Sequence, residues 1–138
     1  MVEKQLNILL VEDDQVDVMN VKRAFEKNRI TNPLFVATDG VEGLETLRNG
    51  KLPKDRRLVL LDLNMPRMDG RAVLGRIKSN PELRCIPVIM LTSSNAPQDV
   101  KQAYELHANS YLVKPLDFDG FERVIHRLIE FWAETALP

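Results

Sequence analysis

Five short apolar runs alternate with five segments of helical spacing along this chain of 138 residues. The runs cover residues 7–11, 34–37, 58–61, 87–91 and 110–113. Most of their positions are apolar in succession rather than in alternation, which indicates strands that are covered on both faces. Parallel strands joined by right-handed crossover helices meet this requirement. The sequence therefore predicts an α/β fold, a doubly wound five-stranded parallel sheet with helices on both faces.

Turn and capping residues bound the segments between the runs. We expect helices over about residues 16–25, 41–47, 71–78, 97–106 and 118–136. Asp13 or Asp14 is available to cap the first helix, and Gly50 suits a left-handed end of the second. The length leaves no room for a second folded domain. We therefore expect a single domain over residues 1–138, with its core at about 6–128 and an extended last helix to about 136.

Charge and cysteine content exclude several classes of function. The 19 Lys and Arg residues nearly balance the 20 Asp and Glu residues, so a net charge of -1 provides no basic field for nucleic acid. The apolar run at residues 86–91 is far shorter than the ~18 residues that a membrane helix needs. A lone cysteine, Cys85, permits no internal disulfide, which suits a reducing compartment. We expect a cytoplasmic protein without a nucleic-acid or membrane partner.

Polar residues follow the carboxyl ends of four predicted strands. They are Glu12, Asp13 and Asp14, then Asp62 and Asn64, then Thr92, and finally Lys114. Ligands of open parallel sheets bind outside the carboxyl ends of the strands, so we expect these side chains in one crevice. Carboxylates packed closely repel one another unless a cation lies among them. Oxygen ligands without His or Cys favour a hard ion, and among hard ions Mg²⁺.

A carboxylate beside a bound Mg²⁺ can act as a nucleophile toward phosphorus and form an aspartyl phosphate. Thr92 and Lys114 would then bind the other phosphoryl oxygens. The strand ends therefore indicate phosphoryl transfer.

Four motifs in this order resemble the receiver domains of two-component response regulators. They are ILLVED (8–13), LDLNMP (61–66) with MDG (68–70), MLTS (90–93) and YLVKP (111–115). The resemblance covers nearly all of the chain and implies a flavodoxin-like sheet of strand order 2-1-3-4-5. It implies a response regulator of a phosphorelay, which accepts a phosphoryl group from the phosphohistidine of a sensor histidine kinase. Such a protein is not an enzyme toward a separate substrate, because it catalyses only its own phosphorylation and dephosphorylation.

The resemblance assigns roles to the strand-end residues. Asp62 is the expected phosphoacceptor, and the expected Mg²⁺ ligands are Glu12, Asp13, Asp62 and the main-chain carbonyl of Asn64. The acidic pair could also be Asp13 with Asp14. We favour Glu12 with Asp13, because the strand ends directly before them and Asp14 suits the helix cap.

The resemblance also implies a switch and a special peptide bond. Thr92 and Lys114 are expected to bind the phosphoryl group, and Tyr111 is the expected switch aromatic that responds when Thr92 moves. The bond between Lys114 and Pro115 is expected to be cis, as in the family. His107 stands where the family often has Gly, and it tolerates a positive φ less well than Gly does.

The last helix carries more apolar surface than one sheet face needs. Its apolar residues span an arc of roughly 160°, against a stripe of ~100° for a helix on a sheet. We expect a homodimer through the last strand and the last two helices, with Tyr111, Phe121, Phe131 and Trp132 on the dimer face. The alternative is that this helix packs its aromatic residues on its own domain.

A finer resemblance concerns the partner kinase. The extended last helix, its Phe131–Trp132 pair and the basic loop over residues 51–57 resemble single-domain regulators that serve bacterial phytochrome kinases. Basic residues of the first helix could steer such a kinase, or they could form only a solvated face. They are Lys22, Arg23, Lys27 and Arg29.

Three other functions fit parts of the pattern. A phosphohydrolase of the haloacid dehalogenase type needs an acid two residues after its nucleophile, where this chain has Asn64. A flavodoxin-like or nucleotide-binding module needs a glycine-rich phosphate loop after Val11, where acids stand instead. A receiver that works without phosphate is disfavoured, because Asp62, Thr92 and Lys114 are all present.

Overall fold

Strands and helices alternate throughout residues 5–138, the part of the chain that the computed structural model describes. The strands are β1 (Asn7–Val11), β2 (Leu34–Ala37), β3 (Arg57–Leu61), β4 (Val88–Thr92) and β5 (Ser110–Val113). The helices are α1 (Gln15–Lys27), α2 (Gly40–Arg48), α3 (Gly70–Ser79), α4 (Pro97–Glu105) and α5 (Phe118–Ala133). Each expected strand and helix is present. Over residues 5–138 we find no helix with the length and apolar character to cross a membrane.

The five strands form one parallel sheet in the order β2-β1-β3-β4-β5. β1 lies between β2 and β3, with Val11 level with both Ala37 and Leu61. The pairing continues one residue further, because the Glu12 N–H donates to the Ala37 carbonyl at 2.9 Å and the Asp62 N–H donates to the Val11 carbonyl at 3.1 Å. The predicted doubly wound fold and strand order are confirmed. The first residues after β1 and β3 are therefore neighbours.

Successive side chains of the strands enter two apolar layers. On one face, Leu9 and Val11 of β1 pack in a cluster with buried residues of α2, α3 and α4. On the other face, Ile8 and Leu10 pack with buried residues of α1 and α5, a cluster that we call the α1–α5 layer. Because both faces are covered, the strands can be apolar at consecutive positions. The expected placement of helices on both faces is confirmed.

The last helix ends at Ala133, so its expected extension to about residue 136 is wrong. The guanidinium of Arg56 donates to the carbonyls of Ala133 at 2.8 Å and Thr135 at 3.3 Å, and the Arg56 N–H donates to the Pro138 carbonyl at 2.6 Å. The bond to Ala133 satisfies a carbonyl that a helix end leaves without a partner, and the other two hold the segment after α5. The chain therefore turns back beside the segment before β3, and Leu137 packs against the α1–α5 layer.

Turn residues at three helix ends match their expected geometry. The Asp14 side chain caps α1 by accepting hydrogen bonds from the N–H groups of Val16 and Asp17. Gly50, with a φ of 81°, follows α2 in the left-handed conformation. His107 has a φ of 72°, so it adopts the left-handed conformation after α4 although it carries a side chain.

Substitution of two glycines of α3 tests how closely this helix approaches the end of β3. A Cβ on Gly70 would overlap the carbonyl oxygen of Asp62 and lie 2.8 Å from the Cα of Leu63, whereas a Cβ on Gly75 would meet nothing within 4 Å. We expect Gly70→Ala to lower the free energy of unfolding by about 1–3 kcal/mol, because backbone must shift. Gly75→Ala should raise it by about 0.5–1 kcal/mol, because alanine favours a helix. Urea unfolding measures both, and equal effects would contradict the close approach.

Candidate functional site

Three carboxylates meet at the carboxyl ends of β1 and β3. Glu12 and Asp13 follow β1 and Asp62 follows β3, and one oxygen of each lies within 4.8 Å of the others. Glu12 is 2% exposed and Asp62 is 8% exposed, whereas Asp13 is partly exposed. Buried carboxylates so close together repel one another, and a divalent ion that prefers oxygen ligands would relieve this repulsion. The cluster is typical of a divalent metal site, and it unites the three acids that the sequence predicts as ligands.

Lys114 brings an ammonium group into the same cluster from the end of β5. Its Nζ pairs with Oε1 of Glu12, lies 2.8 Å from Oδ2 of Asp17 and lies 3.9 Å from Oδ1 of Asp62. The Lys114 N–H donates to the Thr92 carbonyl at 2.8 Å, which holds the ends of β4 and β5 together. Only 10% of the Lys114 side chain is exposed. The ammonium therefore lies beside Asp62 but is bonded to two other acids.

The expected cis bond between Lys114 and Pro115 is wrong, because every peptide bond in residues 5–138 is trans. The trans form of an X–Pro bond is favoured by about 0.5–1 kcal/mol. With this bond trans, the Lys114 ammonium already reaches the acids after β1 and β3. The position of this side chain therefore requires no unusual peptide geometry.

Burial dominates the electrostatics of the cluster. It raises the pKa of Glu12 to about 7, a rise that the hydrogen bond and charge of Lys114 reduce and that the charge of Asp62 increases. Burial by itself lowers the pKa of Lys114, but hydrogen bonds to Asp17 and Glu12 and the charge of Asp62 outweigh it, so this pKa lies above its ordinary value. The site therefore favours the charged form of Lys114, whereas burial disfavours the charged form of Glu12.

The hydroxyl of Thr92 is buried and has no partner. Thr92 ends β4, is 0% exposed, and its Oγ1 is the one buried side-chain polar atom in residues 5–138 that makes no hydrogen bond. Leaving such a group unsatisfied costs about 1–3 kcal/mol, and an exception of this kind calls for an explanation. Because β4 pairs with β3, which leads into Asp62, the hydroxyl lies at the carboxyl edge of the sheet. Its proton therefore has no acceptor at this edge of the sheet among the residues that the structure describes.

A chain of hydrogen bonds joins Tyr111 to α4 and α3. The Tyr111 hydroxyl donates to the Ser94 carbonyl at 2.8 Å, and the Ser94 hydroxyl donates to Oδ2 of Asp99 at 2.5 Å. Arg71 of α3 donates to Oδ1 of Asp99 at 2.6 Å. The Ser94 hydroxyl and Arg71 hold the pKa of Asp99 below its ordinary value. Ser94 follows shortly after Thr92 in the chain, so this network begins next to the unpartnered hydroxyl.

The two remaining strand-end residues, Asp14 and Asn64, lie in different surroundings. Asp14 caps α1, which favours Glu12 with Asp13 as the acidic pair. The residue Asn64 is exposed.

Sequence reasoning missed Asp17, which contacts Lys114 from the first turn of α1. Its place one turn after the helix cap is the signal that could have indicated it, because α1 begins only a few residues after β1 ends.

Part of the expected dimer face is buried. Phe121 is 4% exposed and packs in the α1–α5 layer, so its assignment to an exposed face is wrong: this side of α5 covers the sheet. Phe131 is 62% exposed and meets the ring of Trp132 edge-on, with 5.2 Å between ring centroids. Tyr111 and Trp132 are half-buried. Beside these rings, an open groove of about 580 Å³ lies between β5 and α5, lined in part by Leu112.

Comparison with known proteins decides the family of the chain. The model of the response regulator receiver domain matches residues 8–126, which include every acid, hydroxyl and lysine of the site. The chain belongs to the response regulator receiver family. Receiver domains act with histidine kinases in two-component signalling, and a signalling role without a separate substrate fits this receiver.

Three relatives show the extent of the similarity. The probable methanogenesis regulatory protein FilR2 of Methanothrix harundinacea is 42% identical over 91% of this chain and 82% of its own. Response regulator Rcp1 of Synechocystis sp. is 40% identical over 93% and 89%, and the crystal structure of the Mn²⁺-bound form of Rcp1 matches with a TM-score of 0.83. The phosphorylated cyanobacterial phytochrome response regulator RcpA matches with a TM-score of 0.89 and 34% identity over 98% and 99%. The receiver fold is confirmed.

Removing the unpartnered hydroxyl tests its energetic cost in this receiver. We expect Thr92→Val to raise the free energy of unfolding by about 1 kcal/mol, because a buried, unsatisfied hydroxyl is replaced by a methyl group. Thr46 is the matched control: it is 7% exposed, and its hydroxyl donates to the Glu42 carbonyl at 2.8 Å. Thr46→Val should therefore not stabilise the protein. Chemical denaturation compares the two, and equal changes would mean that Thr92 has a partner.

Proposed function

We propose that this receiver accepts a phosphoryl group on Asp62 from the phosphohistidine of a sensor histidine kinase, as the response regulator of a two-component phosphorelay. The observation that carries the proposal is the buried, unpartnered hydroxyl of Thr92, on the strand next to the one that leads into Asp62. The Lys114 ammonium lies 3.9 Å from Asp62. A hydroxyl and an ammonium are the donors that the acceptor oxygens of a phosphoryl group require.

The transfer forms one bond and breaks another. A carboxylate oxygen of Asp62 attacks phosphorus, while the bond between phosphorus and the imidazole nitrogen of the kinase breaks and its electron pair stays on that nitrogen. Thr92 donates a hydrogen bond to one phosphoryl oxygen, and Lys114 pairs with another. Positioning and charge neutralisation supply most of the catalysis in such a step.

Glu12, Asp13, Asp62 and the main-chain carbonyl of Asn64 would hold Mg²⁺. This set offers oxygen donors only and leaves room for water, which suits Mg²⁺. When bound, the ion would neutralise charge between the carboxylates and the phosphoryl oxygens. The Mn²⁺-bound form of the relative Rcp1 supports a divalent ion at such a site.

The residue two positions after Asp62 argues against a phosphohydrolase. Asn64 is an amide, which cannot protonate a leaving group as a carboxylic acid does. The chain therefore catalyses only its own phosphorylation and dephosphorylation. Its proposed setting is the cytoplasm, as one receiver domain over residues 1–138, and its net charge of -1 gives no reason to invoke a nucleic-acid partner.

Tyr111 is the proposed switch residue. A phosphoryl group on Asp62 would draw the Thr92 hydroxyl toward it and move the segment that follows β4. The Tyr111 hydroxyl is bonded to that segment through the Ser94 carbonyl. A local charge change at Asp62 would thereby alter the packing of the Tyr111 ring.

A phytochrome kinase is the proposed partner, and support comes from the likeness to the phytochrome response regulator RcpA. The basic residues of α1 that would steer the kinase are partly engaged within the chain. Lys27 lies 2.9 Å from Glu122, and Arg23 stacks over the Phe118 ring at 4.0 Å. Lys22 is exposed on α1, whereas Arg29 lies in the turn after α1 and not on the helix as expected. Both are exposed and are the better candidates for steering.

Intact mass tests the phosphoacceptor. Incubation with Mg²⁺ and acetyl phosphate should add one phosphoryl group to the wild type and none to Asp62→Asn, because the amide is not a nucleophile. Chelation of Mg²⁺ should abolish the gain. An equal mass gain on Asp62→Asn, or no gain on the folded wild type, would refute the assignment.

The proposal includes a homodimer through α4, β5 and α5. Large apolar side chains are exposed on all three elements: Tyr104 is 49% exposed, Val113 42% and Phe131 62%. β5 is an edge strand, so this face has no further strand beside it. Each of the three elements thus contributes an exposed apolar side chain, and exposed apolar surface is typical of protein interfaces.

Analytical ultracentrifugation tests this interface. The wild type should form a dimer at high micromolar concentration. Phe131→Asp should raise the dissociation constant of the dimer about tenfold or more, because an exposed aromatic residue is lost from the interface. Met19→Asp is the control, since Met19 is 67% exposed on α1, and it should leave dimerisation unchanged. A wild type that stays monomeric with and without phosphorylation would contradict the dimer.

A further inference from the structure

We propose that Asp17 is a positioning residue, which keeps the Lys114 ammonium at the site when a divalent cation is bound there. The inference rests on the proposed function of Asp62 and adds an acid that lies outside the metal cluster. Asp17 stands in the first turn of α1, and its Oδ2 lies 2.8 Å from the Nζ of Lys114.

The carboxylate neighbours of Lys114 are of two kinds. Glu12 and Asp62 belong to the cluster of possible metal ligands, and Asp17 does not. A carboxylate that binds a cation shares its negative charge with that ion, so its attraction for Lys114 falls. The ammonium is also repelled by the added positive charge. Asp17 is then the neighbour of Lys114 whose attraction remains.

The contacts place Lys114 where a phosphoryl oxygen could reach it. Its Nζ lies 3.9 Å from Oδ1 of Asp62, about 1 Å longer than a charge-assisted hydrogen bond. Because Lys114 is bonded to Asp17 and Glu12 rather than to Asp62, an arriving group need not break a direct bond between Asp62 and the lysine. A lysine that is held in place in advance loses little conformational entropy when it binds the phosphoryl oxygen.

The backbone that carries Asp17 is well supported. The side chain of Asp14 caps the helix one turn earlier, and Val18 and Val21 of the same helix are 4% and 1% exposed in the α1–α5 layer. The Asp17 side chain is 32% exposed, so the contact with Lys114 lies at the rim of the site. α1 can therefore hold the lysine from outside the metal cluster.

A simpler role would be structural, because an acid in the first turn stabilises a helix through its dipole. That role predicts a loss of stability that does not depend on Lys114. The positioning role predicts an effect on phosphorylation that requires Lys114. A double-mutant cycle separates the two.

The first test measures the rate of phosphorylation by acetyl phosphate at saturating Mg²⁺. We expect Asp17→Ala to lower this rate about tenfold, from the loss of one charge-assisted contact, and Asp17→Asn to recover part of it as an acceptor without charge. In a Lys114→Ala background, Asp17→Ala should have no further effect. Glu26→Ala, an exposed acid on the same helix, is the control and should match the wild type. Equal losses in both Lys114 backgrounds would overturn the inference.

The second test follows Lys114 itself and requires no phosphorylation. Reductive methylation, read by peptide mass, should modify wild-type Lys114 slowly with and without Mg²⁺, because the side chain is 10% exposed. In Asp17→Ala, added Mg²⁺ should accelerate the modification several-fold, and no acceleration would refute the anchoring role. If Asp17→Ala does not fold, Asp17→Asn takes its place in both tests. If the wild type is not phosphorylated but Mg²⁺ still accelerates methylation in Asp17→Ala alone, the proposed function of Asp62 is refuted. The role of Asp17 then stands.

Discussion

The level pairing of β1 with β3 is the constraint on which the site depends. The Asp62 N–H donates to the Val11 carbonyl, so the residue that follows β3 lies beside the residue that follows β1. A slip of one residue would send the side chains after β3 to the opposite face of the sheet, and Glu12 and Asp62 would no longer meet. The Gly70 N–H donates to the Leu63 carbonyl at 2.7 Å, which ties α3 to the same edge. One backbone register thus positions both acids and the helix behind them.

The site reduces stability, and the apolar layers compensate for it. Burial disfavours the charged form of Glu12, and the unpartnered Thr92 hydroxyl costs about 1–3 kcal/mol. That cost is a noticeable share of the roughly 5–15 kcal/mol by which domains are stable. Both unfavourable features lie at the carboxyl edge of the sheet, where a cation and a phosphoryl group would relieve them. Unfavourable features of this kind are expected at functional sites, where ligands contact them.

The sequence predicts the fold because burial on two faces leaves a visible pattern of apolar runs, and it predicts the acid cluster because parallel strands bring their carboxyl ends together. It does not predict contacts that depend on distant parts of the chain. α5 ends at Ala133, where Arg56 from the segment before β3 bonds its last carbonyl, and Phe121 is buried because α5 faces the sheet with that side. Asp17 escaped notice because its contact with Lys114 depends on the rotation of α1 about its own axis and on the path of a long side chain.

Ser94 connects the site to the surface in two directions. Its carbonyl accepts the Tyr111 hydroxyl from β5, and its hydroxyl donates to Asp99, which Arg71 holds from α3. A movement of Thr92 toward a phosphoryl group would shift Ser94, because the two residues share one short stretch of backbone. Tyr111 and the start of α4 would then lose their partners together. Because these polar groups would lose hydrogen bonds at the same time, a small displacement at Thr92 would favour a second, discrete arrangement over a gradual adjustment.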